Sequence, residues 1–363
     1  MNNCILCHNN KLKILYKYNK GIIVSSDMKV MHQGFILAQC EKCNHIQKII
    51  SHEDIILLNQ IYATYSAYRL NNGAEEYNAD GNRSKKIVNN IKDFINNGNY
   101  NILDIGTGTG VFLKEFNKQY SKWNLYAQDI KNNTSNLMTI QQFKFFFTFK
   151  KDKLYYNYFD LISAIHTFEH IEDIKSFLLQ IKLSLKKDGI LLLQVPNIKQ
   201  NILDIFILDH ISHFSKYSLY YVLKKYFKYI YFPKNQIEKE ITVLATNQDL
   251  KYQDHVYSKV FLKNHIQNIL LKLDKYQNNK DIAIFGTTPI ALFCAAYLNF
   301  NILYFIDEND IKYSKKLECI DIVSPKNIKT NIIILFPYNF KLYNKLQKKY
   351  KTLNFIYLNI EIE

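Results

Sequence analysis

One stretch decides the fold of this chain, and it reads Ile102-Leu103-Asp104-Ile105-Gly106-Thr107-Gly108-Thr109-Gly110-Val111-Phe112. An apolar run of β type carries Asp104, three glycines follow at alternate positions, and a helical apolar pattern begins at Val111. Glycines suit such a turn because a side chain would block a ligand lying against the backbone. The following helix would point free N–H groups at that ligand. This order predicts a nucleotide-type site at the carboxyl end of the first strand of a doubly wound sheet.

The glycine spacing differs from that of dinucleotide-binding loops. Asp104, Gly106, Gly108 and Gly110 form Asp-x-Gly-x-Gly-x-Gly, which resembles motif I of class I S-adenosylmethionine (SAM) methyltransferases. The resemblance implies that the loop holds the amino-acid part of SAM and that an acid ending the second strand holds the ribose hydroxyls. Asp129 ends the strand-like run Asn124-Leu125-Tyr126-Ala127-Gln128 and lies about 20 residues beyond the last glycine. The alternative is a plain glycine-rich turn with a chance acid downstream.

The composition is that of a globular protein with room for two or three domains. The chain has 363 residues, of which 48% are hydrophobic and 22% charged. It contains no run of about 20 apolar residues, so we expect no membrane span. The start, Met1-Asn2-Asn3-Cys4, lacks the basic-then-apolar pattern of a signal peptide, and a cytoplasmic location is expected.

The formal net charge is +15. This charge would suit an anionic partner such as nucleic acid or a phosphorylated small molecule. However, the lysines are spread along the whole chain, which is rich in Lys, Asn, Ile, Tyr and Phe as an A/T-rich gene would make it. Drift in base composition is therefore the favoured explanation of the charge.

The N-terminal segment holds two Cys-x-x-Cys pairs. Cys4, Cys7, Cys40 and Cys43 have the spacing of a tetrahedral four-cysteine zinc site. Thiolate ligands fit a reducing cytoplasm, in which disulfides would not persist. The segment Gly34-Phe35-Ile36-Leu37-Ala38-Gln39 reads as a strand entering the second pair, as in a zinc ribbon. The rival ligands are His8, His32 and His45, but four sulfurs already close a structural site.

Further α/β units follow along the chain. Ser84 is a candidate N-cap for a helix that Gly98 would end. Residues 159–165 read as the fourth strand, and His166 begins the loop after it. Residues 174–185 then read as a helix. Asp188-Gly189 reads as a turn that leads into a buried strand at residues 190–195. This alternation predicts a parallel sheet. Near residue 281 a second strand–turn–helix–strand unit begins, with one glycine in its turn, and it predicts a second α/β domain.

A tyrosine-rich stretch, residues 61–68, and a stretch rich in titratable groups, Leu208-Asp209-His210-Ile211-Ser212-His213-Phe214-Ser215, flank the expected site. Tyr65 and Tyr68 could pack one face of a helix. The functional alternative is a cap over the SAM pocket in which Tyr65 offers its phenol to a substrate. Each histidine likewise has a structural alternative, which is favoured for His213.

The whole order resembles the family of ketosugar C-methyltransferases, which act on nucleotide-linked deoxysugars. The resemblance implies an α/β protein of three parts. A zinc-binding module, a zinc ribbon with the tyrosine-rich connector, spans 1–70, a central Rossmann-like SAM methyltransferase domain spans 71–240, and a second α/β domain associated with the substrate spans 241–363. It is carried by the two cysteine pairs, the second α/β unit and the segment 209–215, which matches the family motif Glu-His-x-x-Tyr-Phe-Ser. Here Asp209 replaces the usual Glu and His213 the usual Tyr, and Ile207 stands where the family often has a Tyr.

The resemblance also implies site residues. His210 would remove the proton next to a ketone, because a base with a pKa near neutrality suits that step. Asp209, His170 and Tyr65 would orient the base or bind the developing oxyanion. For His170, shaping the pocket is an equally good role. His166 joins Asp104, the three glycines and Asp129 as a cofactor residue.

The sequence therefore predicts a SAM-dependent enzyme with structural zinc that methylates a nucleotide-linked keto-sugar at carbon. Sugar O-methylation is the close alternative. An RNA methyltransferase is a weaker one, because the basic residues are not clustered and the fourth strand lacks an Asn-Pro-Pro-Tyr-type motif, so no nucleic-acid partner is expected. A non-catalytic binding protein is disfavoured because such a domain should lose its glycines first. The oligomeric state is open.

Overall fold

The structure is a computed structural model of the 363-residue chain. It describes residues 3–19, 21–65, 77–78, 81–131, 137–148, 153, 155–248, 257–262, 264–328, 331–337 and 340–362. The α-helices in these ranges are α1 His52–Ala63, α2 Arg83–Ile91, α3 Val111–Gln119, α4 Ile174–Ser184, α5 Lys216–Leu223, α6 His265–Asp274, α7 Pro289–Tyr297 and α8 Phe340–Lys349. Short 3-10 helices span Phe168–His170, Ile202–Phe206, Asp310–Lys312 and Pro325–Asn327.

The strands belong to three large sheets and two hairpins. They are β1 Leu12–Tyr18, β2 Ile22–Val24, β3 Val30–His32, β4 Phe35–Cys40, β5 Ile46–Lys48, β6 Tyr77–Asn78, β7 Gly81–Asn82, β8 Asn101–Ile105, β9 Asn124–Asp129, β10 Phe143–Thr148, β11 Phe159–Ile165, β12 Leu185–Pro196, β13 Ser212–His213, β14 Tyr229–Tyr231, β15 Glu240–Thr246, β16 Ile282–Phe285, β17 Phe305–Ile306, β18 Lys316–Leu317, β19 Ile320–Val323, β20 Ile333–Phe336 and β21 Asn354–Tyr357.

The N-terminal sheet is antiparallel, with the order β1-β4-β5-β13. Its last strand comes from residues 212–213, far along the chain. Ser212 pairs with Gln47 and His213 with Ile46. The segment that carries His210 is therefore tied by strand pairing to the cysteine-bearing module.

The central sheet has seven strands in the order β10-β9-β8-β11-β12-β15-β14. β15 is antiparallel to both of its neighbours, and the other pairs are parallel. From β8 the chain builds outward to β9 and β10 on one side, and β11 lies on the other. The order of strands thus reverses between β8 and β11, where doubly wound sheets bind ligands beyond the carboxyl ends of their strands.

The C-terminal sheet has the order β18-β19-β17-β16-β20-β21, and only the β18–β19 pair among these strands is antiparallel. Every residue of α7 from Ile290 to Tyr297 is buried. The helix packs against β2 and the turn Ile202–Phe206, where the rings of Phe206 and Phe293 stack with centroids 4.1 Å apart. One apolar cluster runs through all three sheets, so α7 supports the turn that precedes His210.

Several local predictions were wrong. Ser84 lies inside α2, which ends at Ile91, well before Gly98. Asp188-Gly189 is part of β12, because the pairing between β11 and β12 shifts there, with Phe159 opposite Leu185 and Leu161 opposite Ile190. That shift takes up the extra residues as a bulge in place of a turn.

The tyrosine-rich stretch and the domain boundary also differ from the sequence prediction. Helix α1 ends at Ala63, so Tyr65 follows the helix, while Tyr68 lies outside the described residues. β15 belongs to the central sheet although the predicted boundary at residue 240 cuts through it. The central sheet therefore extends to Thr246.

Candidate active site

The four N-terminal cysteines come together through two matching turns. The N–H of His8 donates to the carbonyl of Cys4, and the N–H of Asn44 donates to that of Cys40. Each donor follows the second cysteine of its pair and has a left-handed backbone, with φ of 60° and 58°. The two Cys-x-x-Cys segments therefore fold alike and face each other.

The thiol geometry fits a metal ion. Sγ of Cys4 lies 3.5 Å from that of Cys43, Sγ of Cys7 lies 3.5 Å from that of Cys40, and all four fall within 4.8 Å of one another. A tetrahedral zinc with bonds of about 2.3 Å would set its sulfurs about 3.8 Å apart. The rival histidines do not join this group, since His8 and His32 are exposed and His45 bonds to Ser212 at 3.2 Å.

The glycine loop lies at the point where the strand order reverses. Gly106 has φ of +72° and faces Thr167, whose Oγ1 would be 1.9 Å from an added Cβ. Gly108 has φ of +55° with nothing within 4 Å of its Cβ position. The loop thus needs Gly106 for its contact with the end of β11, whereas the space above Gly108 is open to a ligand.

Two acids lie beside the loop. Asp104 is buried and accepts a hydrogen bond from Ser163 Oγ at 2.7 Å. Asp129 accepts from the N–H of Gly108 at 2.7 Å. Burial raises the pKa of Asp104 to about 7 and raises that of Asp129. A cationic ligand in this loop would lower both pKa values and favour the charged carboxylates.

A buried charged cluster starts at His166, directly after β11. Its Nδ1 lies 3.2 Å from Glu169 Oε1 and its Nε2 lies 3.1 Å from Glu240 Oε1. Arg83 Nε lies 3.0 Å from the same Glu240 oxygen. Burial alone would lower the pKa of His166, but Glu240 and Glu169 raise it to about 9. The residue is therefore an imidazolium held between two carboxylates.

Asp209 is an anchor for the N-terminal module. Its Oδ1 accepts from the N–H of Ser26 at 2.8 Å and its Oδ2 from Ser26 Oγ at 2.5 Å. His170 Nδ1 lies 2.8 Å from the carbonyl of Asp209. Burial would raise the pKa of Asp209, but His170, His210 and Ser26 hold it below its usual value. Because the carboxylate is ionised and fully engaged, it cannot donate to an oxyanion.

The phenols of Tyr62 and Tyr65 stand next to this anchor. Tyr62 Oη lies 3.3 Å from His170 Nδ1, and Ser26 Oγ lies 3.4 Å from Tyr65 Oη. Burial raises the pKa of Tyr62 well above its ordinary value, so that phenol stays neutral and able to donate a hydrogen bond.

His210 is oriented by an acid that the sequence analysis missed. Its Nδ1 lies 2.9 Å from Asp204 Oδ1, while His213 Nδ1 lies 3.0 Å from Asp204 Oδ2. Burial alone would lower the pKa of His210, but Asp204 raises it above the ordinary value. For His213 burial prevails and the pKa falls to about 4. Asp204 thus pairs with two imidazoles of different basicity: the pKa of His210 is raised, whereas His213 is neutral.

Lys48 connects the cysteine module to the His210 loop. Its ammonium is buried and donates to the carbonyls of Ile207, Leu208 and His210, the last two at 3.2 and 2.9 Å. Burial lowers the pKa of Lys48 to about 7. All three ammonium protons are directed at the loop, which fixes its backbone next to β5.

The structure therefore brings His210, Asp209, His170 and Tyr65 into one neighbourhood, with His166 joined through Glu169. Sequence reasoning missed the partners Ser26, Lys48, Arg83, Glu169, Asp204 and Glu240. Asp204 carried a signal, since it is the lone charge in the apolar run 202–208. The other partners come from distant segments, and only the tertiary fold shows their proximity.

The fold and the loop define a doubly wound α/β protein with a ligand site at the reversal of strand order. Residues 77–230 match the family described as methyltransferase domain. This match shows a methyltransferase domain within the chain, which is therefore an enzyme.

Solved structures align with part of the chain at low identity. A SAM-dependent methyltransferase from Aquifex aeolicus aligns at 18% identity and a TM-score of 0.35, over 45% of this chain and 90% of that one. The YcgJ protein from Bacillus subtilis aligns at 14% and 0.37, over 46% and 98%. The CurJ carbon methyltransferase aligns at 13% and 0.36, over 44% and 51%. No curated protein matches the chain.

Within the described residues, no helix has the length and apolarity needed to cross a bilayer.

Proposed function

We propose that this enzyme methylates a nucleotide-linked keto-deoxysugar at the carbon next to the ketone, with His210 as the general base. One observation supports this role above the others, namely the hydrogen bond between His210 Nδ1 and Asp204 Oδ1 at 2.9 Å. A carboxylate can only accept this bond, so Nδ1 carries a proton, and in the neutral ring Nε2 keeps its lone pair. An oriented imidazole with a free nitrogen is what proton removal from carbon requires.

In the proposed reaction, His210 Nε2 takes the proton from the carbon, and the electron pair moves onto the ketone oxygen as an enolate. Asp204 stabilises the imidazolium that forms. SAM supplies an electrophilic methyl group, which the carbon nucleophile attacks while the sulfur keeps the bonding electrons. Holding the two reactants in line accounts for much of the expected acceleration.

The phenols of Tyr62 and Tyr65 are the proposed donors to the enolate oxygen. They lie at the junction of Ser26 and His170, where a hydrogen bond in a water-poor site is stronger than in water. Asp209 holds this junction in place and does not itself touch the reacting atoms.

For the cofactor, we propose that Gly106, Gly108 and Gly110 let SAM approach the backbone and that Asp104 and Asp129 meet its charged and hydroxyl groups. In this structure Asp129 instead accepts from the N–H of Gly108, so ribose binding would exchange that bond for one to a hydroxyl. His166 is proposed to close the end of the pocket through its ion pairs with Glu169 and Glu240.

Cys4, Cys7, Cys40 and Cys43 are proposed to hold one structural zinc. Four thiolates leave no open position for a substrate. The metal would fix the turn that leads into β5, which carries Lys48 and pairs with β13. Through these contacts the metal would stabilise the loop of His210 without taking part in the chemistry.

The test of the base compares His210→Asn with the wild type in two assays. The variant should keep its fold and SAM affinity but lose about 10²–10⁴-fold in turnover, the usual cost of removing a general base. It should also stop exchange of the acidic sugar proton into heavy water, measured without SAM. A variant that only misplaces SAM would keep this exchange.

Two results would contradict carbon methylation by His210. Wild-type turnover in His210→Asn would make that histidine structural. Methylation of a sugar without any proton exchange in the wild type would indicate O-methylation, in which the same base takes a hydroxyl proton. Methyl transfer to an RNA at physiological salt would replace the sugar hypothesis altogether.

The test of the metal is analysis of the purified chain. We expect one zinc per chain in the wild type and none at this site in Cys40→Ser/Cys43→Ser. The double variant should be poorly soluble because structural zinc supplies folding free energy. Native, metal-free wild-type protein would refute the assignment.

A further inference from the structure

Three donor groups of the candidate site converge in a way that proton transfer does not require. One ligand-capable atom from each of Glu169, His170 and His210 lies within 4.8 Å of the other two. The two imidazole rings meet edge to face with centroids 4.8 Å apart. Glu169 and His210 are buried, and His170 is partly buried. Two imidazoles and one carboxylate form a donor set used by divalent transition metals.

The hydrogen bonds fix which ring nitrogens are available. His170 Nδ1 lies 2.8 Å from the carbonyl oxygen of Asp209, which can only accept, so that nitrogen carries the proton. The same reasoning puts the proton of His210 on Nδ1, next to Asp204. In the neutral rings both Nε2 atoms therefore keep a lone pair. Metal-binding histidines almost always donate their other N–H to a carbonyl or carboxylate in this way.

The carboxylate has an oxygen to spare. Glu169 Oε1 faces His166 Nδ1 at 3.2 Å. Glu169 Oε2 is fully buried and has no hydrogen-bond partner among the described residues. A buried carboxylate oxygen without a partner is costly, and a cation would satisfy it.

From this convergence we propose that Glu169, His170 and His210 bind a divalent transition-metal ion, separate from the four-cysteine site. Imidazole and carboxylate ligands suit Zn²⁺, Co²⁺ and Fe²⁺, and three protein ligands leave positions for water. The bound ion takes the lone pair of His210 Nε2. If His210 is the base, as in the proposed function, the ion inhibits methyl transfer in competition with proton removal.

Cobalt is the probe, because Co²⁺ binds such sites more weakly than Zn²⁺ and leaves thiolate-bound zinc in place. Co²⁺ is titrated into purified chain that already holds one zinc. Binding is followed by cobalt content after gel filtration and by proton NMR, where the paramagnetic ion shifts nearby ring N–H signals. We expect one cobalt per chain and two shifted exchangeable signals, from Nδ1–H of His170 and of His210.

Two variants and one matched control test the assignment. His170→Asn should remove one shifted signal and weaken Co²⁺ binding by about tenfold or more, and Glu169→Gln should weaken it as well. His213→Asn is the control, because His213 is buried and bonds to the same Asp204 but lies outside the three donors. It should bind cobalt as the wild type does. Retained zinc and an unchanged circular dichroism spectrum show that each variant has folded.

The site and the base are judged by different results. Two results overturn the metal site whatever the activity. One is that the wild type binds no Co²⁺ beyond the cysteine site, and the other is that His170→Asn and Glu169→Gln bind Co²⁺ as tightly as the wild type does. Binding that leaves methyl transfer unchanged keeps the metal site but refutes His210 as the base. Binding with inhibition that a chelator reverses supports both.

Discussion

The chain contains two strand–turn–helix units of the same layout, and they use their turns differently. In the central sheet β8 leads through Gly106 to α3, and Asp129 ends the neighbouring β9. In the C-terminal sheet β16 leads through Gly286 to α7, and Asp307 follows the neighbouring β17. Both pairs of strands are parallel, so each acid comes to the carboxyl end beside its glycine turn.

The difference lies in what fills the space above the turn. In the central unit the space above Gly108 is empty. In the C-terminal unit Lys312 contacts both the residue after Gly286 and the acid after β17: its Nζ lies 3.0 Å from Asp307 Oδ2 and 2.8 Å from Thr287 Oγ1. Thr287 in turn donates to Asp307 at 2.6 Å. The chain itself thus supplies the cation and the hydroxyl that a ligand would bring.

A shared layout of strand, turn and helix therefore does not imply a shared role. In the C-terminal unit the polar groups of Thr287 and Asp307 bond to each other and to Lys312. The helix α7 of this unit is buried against β2 and the turn before His210. We interpret this unit as a support for the site. The central turn retains free space and two carboxylates whose pKa burial raises, as a turn that receives a charged ligand would.

The largest effect should come from breaking the C-terminal network. Lys312→Met leaves Asp307 without its cationic partner in a largely buried position, which costs about 3–5 kcal/mol. We expect the free energy of unfolding in urea to fall by this amount. Lys312→Met/Asp307→Asn should recover part of the loss because no unpaired charge remains. If the single variant is as stable as the wild type, Lys312 does not hold this turn.

The second prediction tests the open turn. Gly108→Val should weaken binding of S-adenosylhomocysteine, measured by titration calorimetry, by about 100-fold or more, since a branched side chain fills the space for the ligand. Its left-handed backbone adds about 1–2 kcal/mol of strain.

Gly286→Ala is the matched control for that strain, because Gly286 has φ of +92° in the other unit. It should lower the melting temperature and leave ligand affinity unchanged. Equal loss of affinity in both variants would mean that strain and not bulk controls binding. Unchanged affinity in Gly108→Val would make the central loop structural too.

The smallest effect is a pH dependence of cofactor binding. Burial raises the pKa of Asp104 to about 7, so the free protein holds a proton there below pH 7. A cationic ligand lowers that pKa, and the proton is released on binding. Affinity for S-adenosylhomocysteine should therefore rise with pH and level off above about 7, by at most about tenfold per pH unit. Asp104→Asn should flatten this dependence, and a flat wild-type profile would argue against contact with the ligand.

Part of the site could be predicted from local patterns. The glycine loop and its strand and helix follow from residues that are adjacent in sequence, and the two cysteine pairs carry the spacing of a metal knuckle. The stretch around His210 was identified by its titratable residues. Such features are local, because the chemistry of each needs only a few neighbouring residues.

The α/β class, the position of the central loop and the grouping of four cysteines follow from the amino-acid sequence. The contacts of Asp204 with His210, of Ser26 with Asp209 and of Lys48 with the loop between them depend on the folded chain. These contacts join residues up to 183 positions apart. No local periodicity encodes them, because β13 joins β5 and α7 packs under residues 202–206 only once all three sheets share one core.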